Sequence, residues 1–187
     1  MHIGVDLDNT LVDTTTAYLD IYNRLSGQVK TASDLKDFHL WRVFGWTPDQ
    51  YREIYARHGH AIHAQAEPMP GAVAVMQAWY AQHQISIITA RPAFHEVTRE
   101  WLERHHVPYH ALVFTEDKYA HCASHAVDVL IEDGPHYAEE FARHDRPIVL
   151  LDHPYNHHVT GDSIYRAHDW REVDHHLKAL EIHAPQP

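Results

Sequence analysis

Asp6 and Asp8 stand two residues apart directly after a short apolar run, in the order Val5-Asp6-Leu7-Asp8-Asn9-Thr10. Two carboxylates at that spacing can divide a phosphoryl transfer between them. Asp6 can attack phosphorus and form an aspartyl-phosphate. Asp8 can protonate the leaving alkoxide, then take a proton from the attacking water. Two charged carboxylates this close call for a cation, and a hard, oxygen-loving ion such as Mg2+ answers that need. The pair alone is weak evidence, because Asp-x-Asp closes many strands.

Three further sites supply the rest of such a reaction. Thr89-Ala90-Arg91 closes a second apolar run. A hydroxyl there, with the backbone N–H groups that follow, can hold a phosphate oxygen. Thr89 also reads as an ordinary β-former ending a strand. Arg91 is placed to reach a phosphate or a sugar. Lys118 follows a third run in Thr115-Glu116-Asp117-Lys118. Its ammonium can neutralise charge that develops on the nucleophile and the phosphoryl oxygens, or it can be a solvated lysine opening a helix. Asp133 ends Val129-Leu130-Ile131-Glu132-Asp133-Gly134. It can hold the metal, or it can be an acidic turn or helix cap.

Positioning these groups falls to five short apolar runs at 3–7, 84–89, 111–115, 127–132 and 147–152. Near-continuous apolar runs fit parallel strands covered on both faces. Helical periodicity lies between them at 71–82, 93–105, 117–124 and 136–144. The alternation predicts an α/β fold, a doubly wound parallel sheet, with Asp6, Thr89, Lys118 and Asp133 at or just after successive strand ends. In such a sheet ligands bind at the carboxyl ends of the strands.

The rhythm breaks between Thr14 and Pro70, where aromatics gather: Tyr18, Tyr22, Phe38, Trp41, Phe44, Trp46, Tyr51 and Tyr55. Tyr18, Leu19, Tyr22 and Leu25 share a helical face, as do Tyr51, Ile54 and Tyr55. The segment reads as a small helical cap, 14–70, inserted after the first strand, with 1–13 and 71–187 forming the core. Pro68-Met69-Pro70-Gly71 ends the insert. Beyond Asp152 the stretch 153–158 reads as loop, a last amphipathic helix is expected over 170–180, and 184–187 reads as a frayed tail.

A formal net charge of -11 argues against binding a nucleic acid polymer. It leaves room for a small phosphorylated ligand, which meets the local field of a metal and a few cations. Cys122 is the single cysteine, so no internal disulfide framework forms. With no secretory leader and no apolar run long enough to span a membrane, a reducing cytoplasm is the expected location. The 21 histidines, many in surface-like strings, match no standard metal-ligand spacing. The sequence does not fix an oligomeric state, and a homodimer is compatible with it.

The set Asp6/Asp8, Thr89, Lys118, Asp133, in that order, resembles the signature of the haloacid dehalogenase-like phosphohydrolases over nearly the whole chain. That resemblance implies a Rossmannoid core, Asp6 as nucleophile and Asp8 as acid/base. It implies Mg2+ held by Asp6, the backbone carbonyl of Asp8 and Asp133. An insert between the first and second motifs is similar to the C1 type of cap, which lids a small-molecule site. Asp128-Val129-Leu130-Ile131-Glu132-Asp133, Pro68-Met69-Pro70-Gly71 and Asp152-His153-Pro154-Tyr155-Asn156 are similar to stretches of the bacterial 5'(3')-deoxyribonucleotidase-like (5'-nucleotidase, deoxy type C) family. Asn9 departs from the mammalian members, which carry Gly, and Thr89-Ala90-Arg91 replaces their Thr-Ser-Pro.

The resemblance implies a nucleoside monophosphate as substrate. Phosphate contacts are then expected from Thr89, Ala90, Arg91 and Lys118. A base needs flat faces, which Phe38, Trp41, Phe44 and Trp46 can offer, although a small helical insert also needs aromatics for its own core. Two alternatives stay open: a phosphatase for sugar phosphates or phosphoglycolate, and a non-catalytic protein that binds a phosphorylated ligand.

Overall fold

The computed structural model describes residues 1–183. Six strands form one parallel sheet: β1 (His2–Val5), β4 (Gln84–Thr89), β5 (Ala111–Phe114), β6 (Val129–Glu132), β7 (Ile148–Leu151) and β8 (Ile164–Ala167). A two-residue ribbon pairs β2 (Val12–Asp13) antiparallel with β3 (Glu67–Pro68). The large sheet runs in the order β5-β4-β1-β6-β7-β8. The chain thus builds outward from β1 on one side, then returns to build outward on the other. That reversal is a topological switch point, and a crevice opens there at the carboxyl ends of the strands.

The central strands are apolar because helices cover both of their faces. Ile3, Val5, Ile85, Ile87, Leu130, Ile131, Val149 and Leu150 are all buried, each contributing roughly 1.5–3 kcal/mol relative to exposure. Covering helices are α4 (Ala72–Tyr80), α5 (His95–Arg104), α6 (Lys118–Ser124), α7 (Pro135–Arg143) and α8 (Trp170–His183). Pro135 opens α7 where a missing N–H costs nothing. These elements follow the sequence expectations to within a few residues. The strand expected over 3–7 ends at Val5, so Asp6 already lies beyond it. The expected tail at 184–187 lies outside the described residues.

One strand was hidden from the sequence. Between the expected loop at 153–158 and the last helix, where the sequence points to no element, lies the edge strand β8. Its Ile-Tyr-Arg-Ala composition lacks the apolar run of a central strand because only β7 pairs with it. Arg166 uses this edge position as a brace. Its Nη1 donates to Asp152 at 2.6 Å and to Asn156 Oδ1 at 2.9 Å. Its Nη2 donates to the carbonyls of Asn156 at 3.0 Å and Val159 at 2.8 Å.

Between β2 and β3 lie α1 (Thr14–Ser26), a short 3-10 turn (Ala32–Asp34), α2 (Leu40–Phe44) and α3 (Pro48–Gln65). Asp13 caps α1 by accepting from Thr16 N at 3.0 Å, and Gly27, at φ 68°, ends it in the left-handed region. Thr47 and Gln50 form a capping box at the start of α3. Tyr22 is the hub of this segment, with ring centroids 5.6 Å from Phe44 and 5.0 Å from Trp46. The end of α3 is fastened to α5. Gly59 leaves room for the Phe94 ring, which a Cβ there would meet at 2.4 Å, and Trp101 Nε1 donates to the Ala66 carbonyl at 2.6 Å.

Candidate active site

Past β1 the chain makes a tight loop before β2. Val12 N and Leu11 N both donate to the Leu7 carbonyl, at 2.8 and 3.0 Å. Asn9 sits at φ 57°, a left-handed conformation that favours Gly and, next to it, Asn. Its departure from glycine is therefore conformationally mild. The side chain adds a function: Asn9 Oδ1 accepts from Thr15 N at 2.8 Å and from the Thr14 and Thr15 hydroxyls at 2.9 and 3.0 Å. These bonds tie the loop to the start of α1.

Asp6, Glu132, Asp133 and Lys118 converge beside this loop, all buried. Lys118 opens α6, and Asp117 caps that helix by accepting from Ala120 N at 3.0 Å. The Lys118 ammonium donates to Asp6 Oδ1 and, at 2.7 Å, to Glu132 Oε2. Burial alone would lower its pKa, but the two carboxylates outweigh burial and keep it charged. Burial and mutual repulsion push Asp6, Glu132 and Asp133 each up to about 7. One oxygen from each of these acids lies within 4.8 Å of the others.

Asp133 is bracketed by neutral groups. The Tyr155 hydroxyl donates to Oδ2 and the Thr10 hydroxyl to Oδ1, the latter at 3.3 Å. Asn156 Nδ2 donates to the Asp133 carbonyl at 2.8 Å. Tyr155 and Asn156 belong to the loop that Arg166 braces, so the edge strand sets the position of Asp133 through two steps. Among the described residues no cation hydrogen-bonds to this buried carboxylate. Three buried carboxylates against one ammonium leave negative charge uncompensated, and the donors are all oxygen. That set fits a hard divalent cation held by Asp6, Asp133 and Glu132.

Asp8 has a separate environment. Its carboxylate accepts from Arg91 Nε at 2.7 Å and Nη2 at 2.6 Å. Burial would raise its pKa, but the guanidinium outweighs that and holds Asp8 down at about 2. The Asp8 side chain is therefore outside the acidic trio; the resemblance calls only on its backbone carbonyl. Glu132 stands in the trio instead, a member that the sequence offered only as half of an acidic pair. The Arg91 guanidinium, expected to face phosphate or sugar, spends a third N–H on the Thr98 hydroxyl at 2.8 Å. Thr89 ends β4 with its hydroxyl accepting from Arg91 N at 3.3 Å.

A cleft of about 1390 Å³ joins these groups to α1–α3. Asp6, Asp8, Thr89, Ala90, Arg91, Lys118 and Asp133 line it, and so do Phe38 and Trp41. Phe38 is 37% exposed, with its ring centroid 5.7 Å from that of Tyr155. Phe44 and Trp46 are absent from the lining and stack on each other at 4.8 Å within the helical segment. Those two serve its core. His63 of α3, which no sequence pattern singled out, is fully buried near Asp8, with Nδ1 3.7 Å from Asp8 Oδ1.

Residues 1–182 match the family described as 5' nucleotidase, deoxy (pyrimidine), cytosolic type C protein (NT5C). A nucleotidase-named protein of Halalkalibacterium halodurans is 31% identical over 186 residues, covering 94% of this chain and 93% of that one. A nucleotidase of Clostridium acetobutylicum is 23% identical, covering 92% and 91%. Among solved structures, a haloacid dehalogenase-like hydrolase of Streptococcus pneumoniae has a TM-score of 0.69 at 16% identity, covering 94% and 97%. A HAD-hydrolase of Bacillus subtilis, solved bound to magnesium, has a TM-score of 0.63 at 13% identity, covering 95% and 98%. No helix among the described residues is long and apolar enough to cross a membrane.

Proposed function

The chain belongs to the NT5C family and is a hydrolase of the nucleotidase type; from that premise we propose that it is a Mg2+-dependent phosphatase that dephosphorylates deoxynucleoside and nucleoside monophosphates through an aspartyl-phosphate on Asp6. The observation that carries the reading is the placement of Asp6. It is a buried carboxylate just past the central strand, bonded to Lys118 and grouped with Glu132 and Asp133. A nucleophile there meets a phosphate at the open end of the sheet.

The chain's residues divide the work as follows. Lys118 holds Asp6 as a carboxylate and faces the phosphoryl oxygens, with the Thr89 hydroxyl and the N–H groups of Ala90 and Arg91 as further donors. Asp6 attacks phosphorus in line, and the bond to the leaving oxygen breaks. Asp8 gives that oxygen a proton. A water then attacks the aspartyl-phosphate, Asp8 takes its proton, and phosphate leaves with Asp6 restored. Asp6, Glu132 and Asp133, with the Asp8 carbonyl, would hold a divalent cation, which would supply positive charge to offset that of the phosphoryl group.

Asp8 begins as the carboxylate that Arg91 holds. A dianionic phosphate arriving beside Arg91 competes for the guanidinium and raises the proton affinity of Asp8, which takes up a proton from solvent before its acid step and returns one to solvent when Arg91 re-engages it at the end of the cycle. Residues 14–70 act as a cap, with Phe38 and Trp41 presenting flat faces to the base. Cap and core together exclude water during transfer.

The test is phosphate release from nucleoside and deoxynucleoside monophosphates beside sugar phosphates and phosphoglycolate, with Mg2+ and with EDTA. Metal-dependent preference for deoxynucleotides is expected. Turnover confined to sugar phosphates would discard the nucleotide assignment and keep the chemistry. Asp6→Asn should lose turnover of every substrate while remaining folded; wild-type-like turnover in that variant removes Asp6 as nucleophile.

A further inference from the structure

His63 carries a buried nitrogen that nothing in the structure satisfies. The residue lies near the end of α3, its ring edge-on to Tyr18 and Tyr55 at 6.3 and 5.7 Å and tilted against Phe94 at 5.7 Å. Nε2 shares a hydrogen bond with the Tyr55 hydroxyl at 2.8 Å. Nδ1 is buried and has no hydrogen-bond partner. Asp8 Oδ1 lies 3.7 Å from it. An unsatisfied buried donor costs about 1–3 kcal/mol. A Leu or Phe would fill the same space among these aromatic rings without that cost. The Tyr55 hydroxyl can donate to Nε2 or accept from it, and in the first arrangement the ring proton sits on Nδ1, the atom 3.7 Å from Asp8.

We propose that His63 is a positioning residue for Asp8: its Nδ1–H closes from 3.7 Å to a hydrogen bond of about 3 Å on Oδ1 when the Asp8 carboxylate turns from Arg91 toward the leaving-group oxygen. The inference rests on Asp8 being the acid/base. A carboxylate that swaps Arg91 for the leaving oxygen needs a second donor to fix its orientation. His63 supplies that donor from α3, and Gly59, Phe94 and Trp101 fasten the end of that helix to the core. The Asp8 proton passes to the leaving oxygen as the phosphorus–oxygen bond breaks. His63 keeps its own proton throughout.

The experiment compares two leaving groups. A nucleoside alkoxide needs the proton from Asp8, whereas p-nitrophenolate leaves without it. In His63→Leu, the ratio of kcat/KM for a deoxynucleoside monophosphate to that for p-nitrophenyl phosphate should fall by about 10-fold or more. His63→Asn, which retains a donor near the Nδ1 position, should hold the ratio within about 3-fold of wild type. His63→Gln, whose amide reaches the Nε2 position instead, should not. An equal fall on both substrates, or an unchanged ratio in His63→Leu, overturns the proposal. If His63→Leu does not fold, the Asn and Gln variants decide: equal ratios in the two overturn it. Failure of the functional reading shows earlier, in the wild type. Should that turn over only sugar phosphates, the ratio is taken between a sugar phosphate and p-nitrophenyl phosphate.

Discussion

Arg91 grips Asp8 with a fork: Nε meets one carboxylate oxygen at 2.7 Å and Nη2 the other at 2.6 Å. The pair joins the first strand's loop to the end of β4, 83 residues apart in sequence. Bidentate pairing fixes orientation as well as charge, and lysine cannot reproduce it.

Arg91→Lys should therefore keep the protein folded while lowering kcat by about 10-fold, equivalent to about 1.4 kcal/mol of lost orientation. The alkaline limb of the pH–rate profile should move upward, because Asp8 must be protonated to act as the acid and the guanidinium fork that holds its pKa down has gone. Steady-state kinetics from pH 4 to 8 checks both. A rise in KM alone would instead mark Arg91 as a plain phosphate ligand.

Tyr155→Phe keeps the ring and removes the hydroxyl that Asp133 accepts from. Partners of metal-binding carboxylates fix ligand geometry, and their loss weakens binding by roughly 10-fold or more. Titration calorimetry with Mg2+ should show that loss with little change in melting temperature in EDTA. Unchanged affinity would make the Tyr155 bond structural only.

The acidic trio sets a pH signature. Asp6, Glu132 and Asp133 are pushed up to about 7 by burial and mutual repulsion, while unfolded carboxylates titrate near 4. Between those values the folded state binds more protons than the unfolded state. The trio's contribution to stability therefore falls as pH rises through that window. In metal-free buffer, Asp133→Asn should be more stable than wild type at pH 8, with the difference shrinking steadily as pH falls towards 4. Saturating Mg2+ should raise the wild-type melting temperature most at pH 8 and the variant's hardly at all. Urea unfolding and thermal melts read both; a stability difference independent of pH contradicts the assignment.

Phe38 and Phe44 are six residues apart and should behave oppositely. Phe38→Ala, in the cleft, should raise KM for nucleotides about 5- to 150-fold, the equivalent of about 1–3 kcal/mol of lost stacking, and leave the melting temperature nearly unchanged. Phe44→Ala, buried against Tyr22 and Trp46, should cost about 3–5 kcal/mol of stability.

That pair also shows where sequence reading stops. Strand β4 was legible to the residue because it is buried on both sides and its Ile-Ser-Ile-Ile run is bounded by polar residues. Strand β8 was not, because an edge position tolerates Arg166 where a central strand would not. Asp6, Lys118 and Asp133 could be named from their order and from the strands they follow. Their partners could not. Asp8 finds Arg91, Asp133 finds Tyr155, and His63 approaches Asp8 only through folding, since each pair is separated by at least 22 residues. Periodicity is local and cannot report such encounters. Nor does it separate Phe38, expected with Trp41 to bind substrate, from Phe44 on physical grounds, since only tertiary packing decides which aromatic faces the cleft.

The seating of Phe94 against Gly59 has a consequence for the cleft. With the end of α3 fastened to α5 by that ring and by the Trp101 bond to Ala66, one edge of the cleft is tied directly to a helix that covers the sheet. On the other edge Phe38 meets the core through the rings of His136 and Tyr155. One edge is thus fixed by a hydrogen bond and a close-packed ring, the other by aromatic contact alone, and the fixed edge depends on a single residue without a side chain.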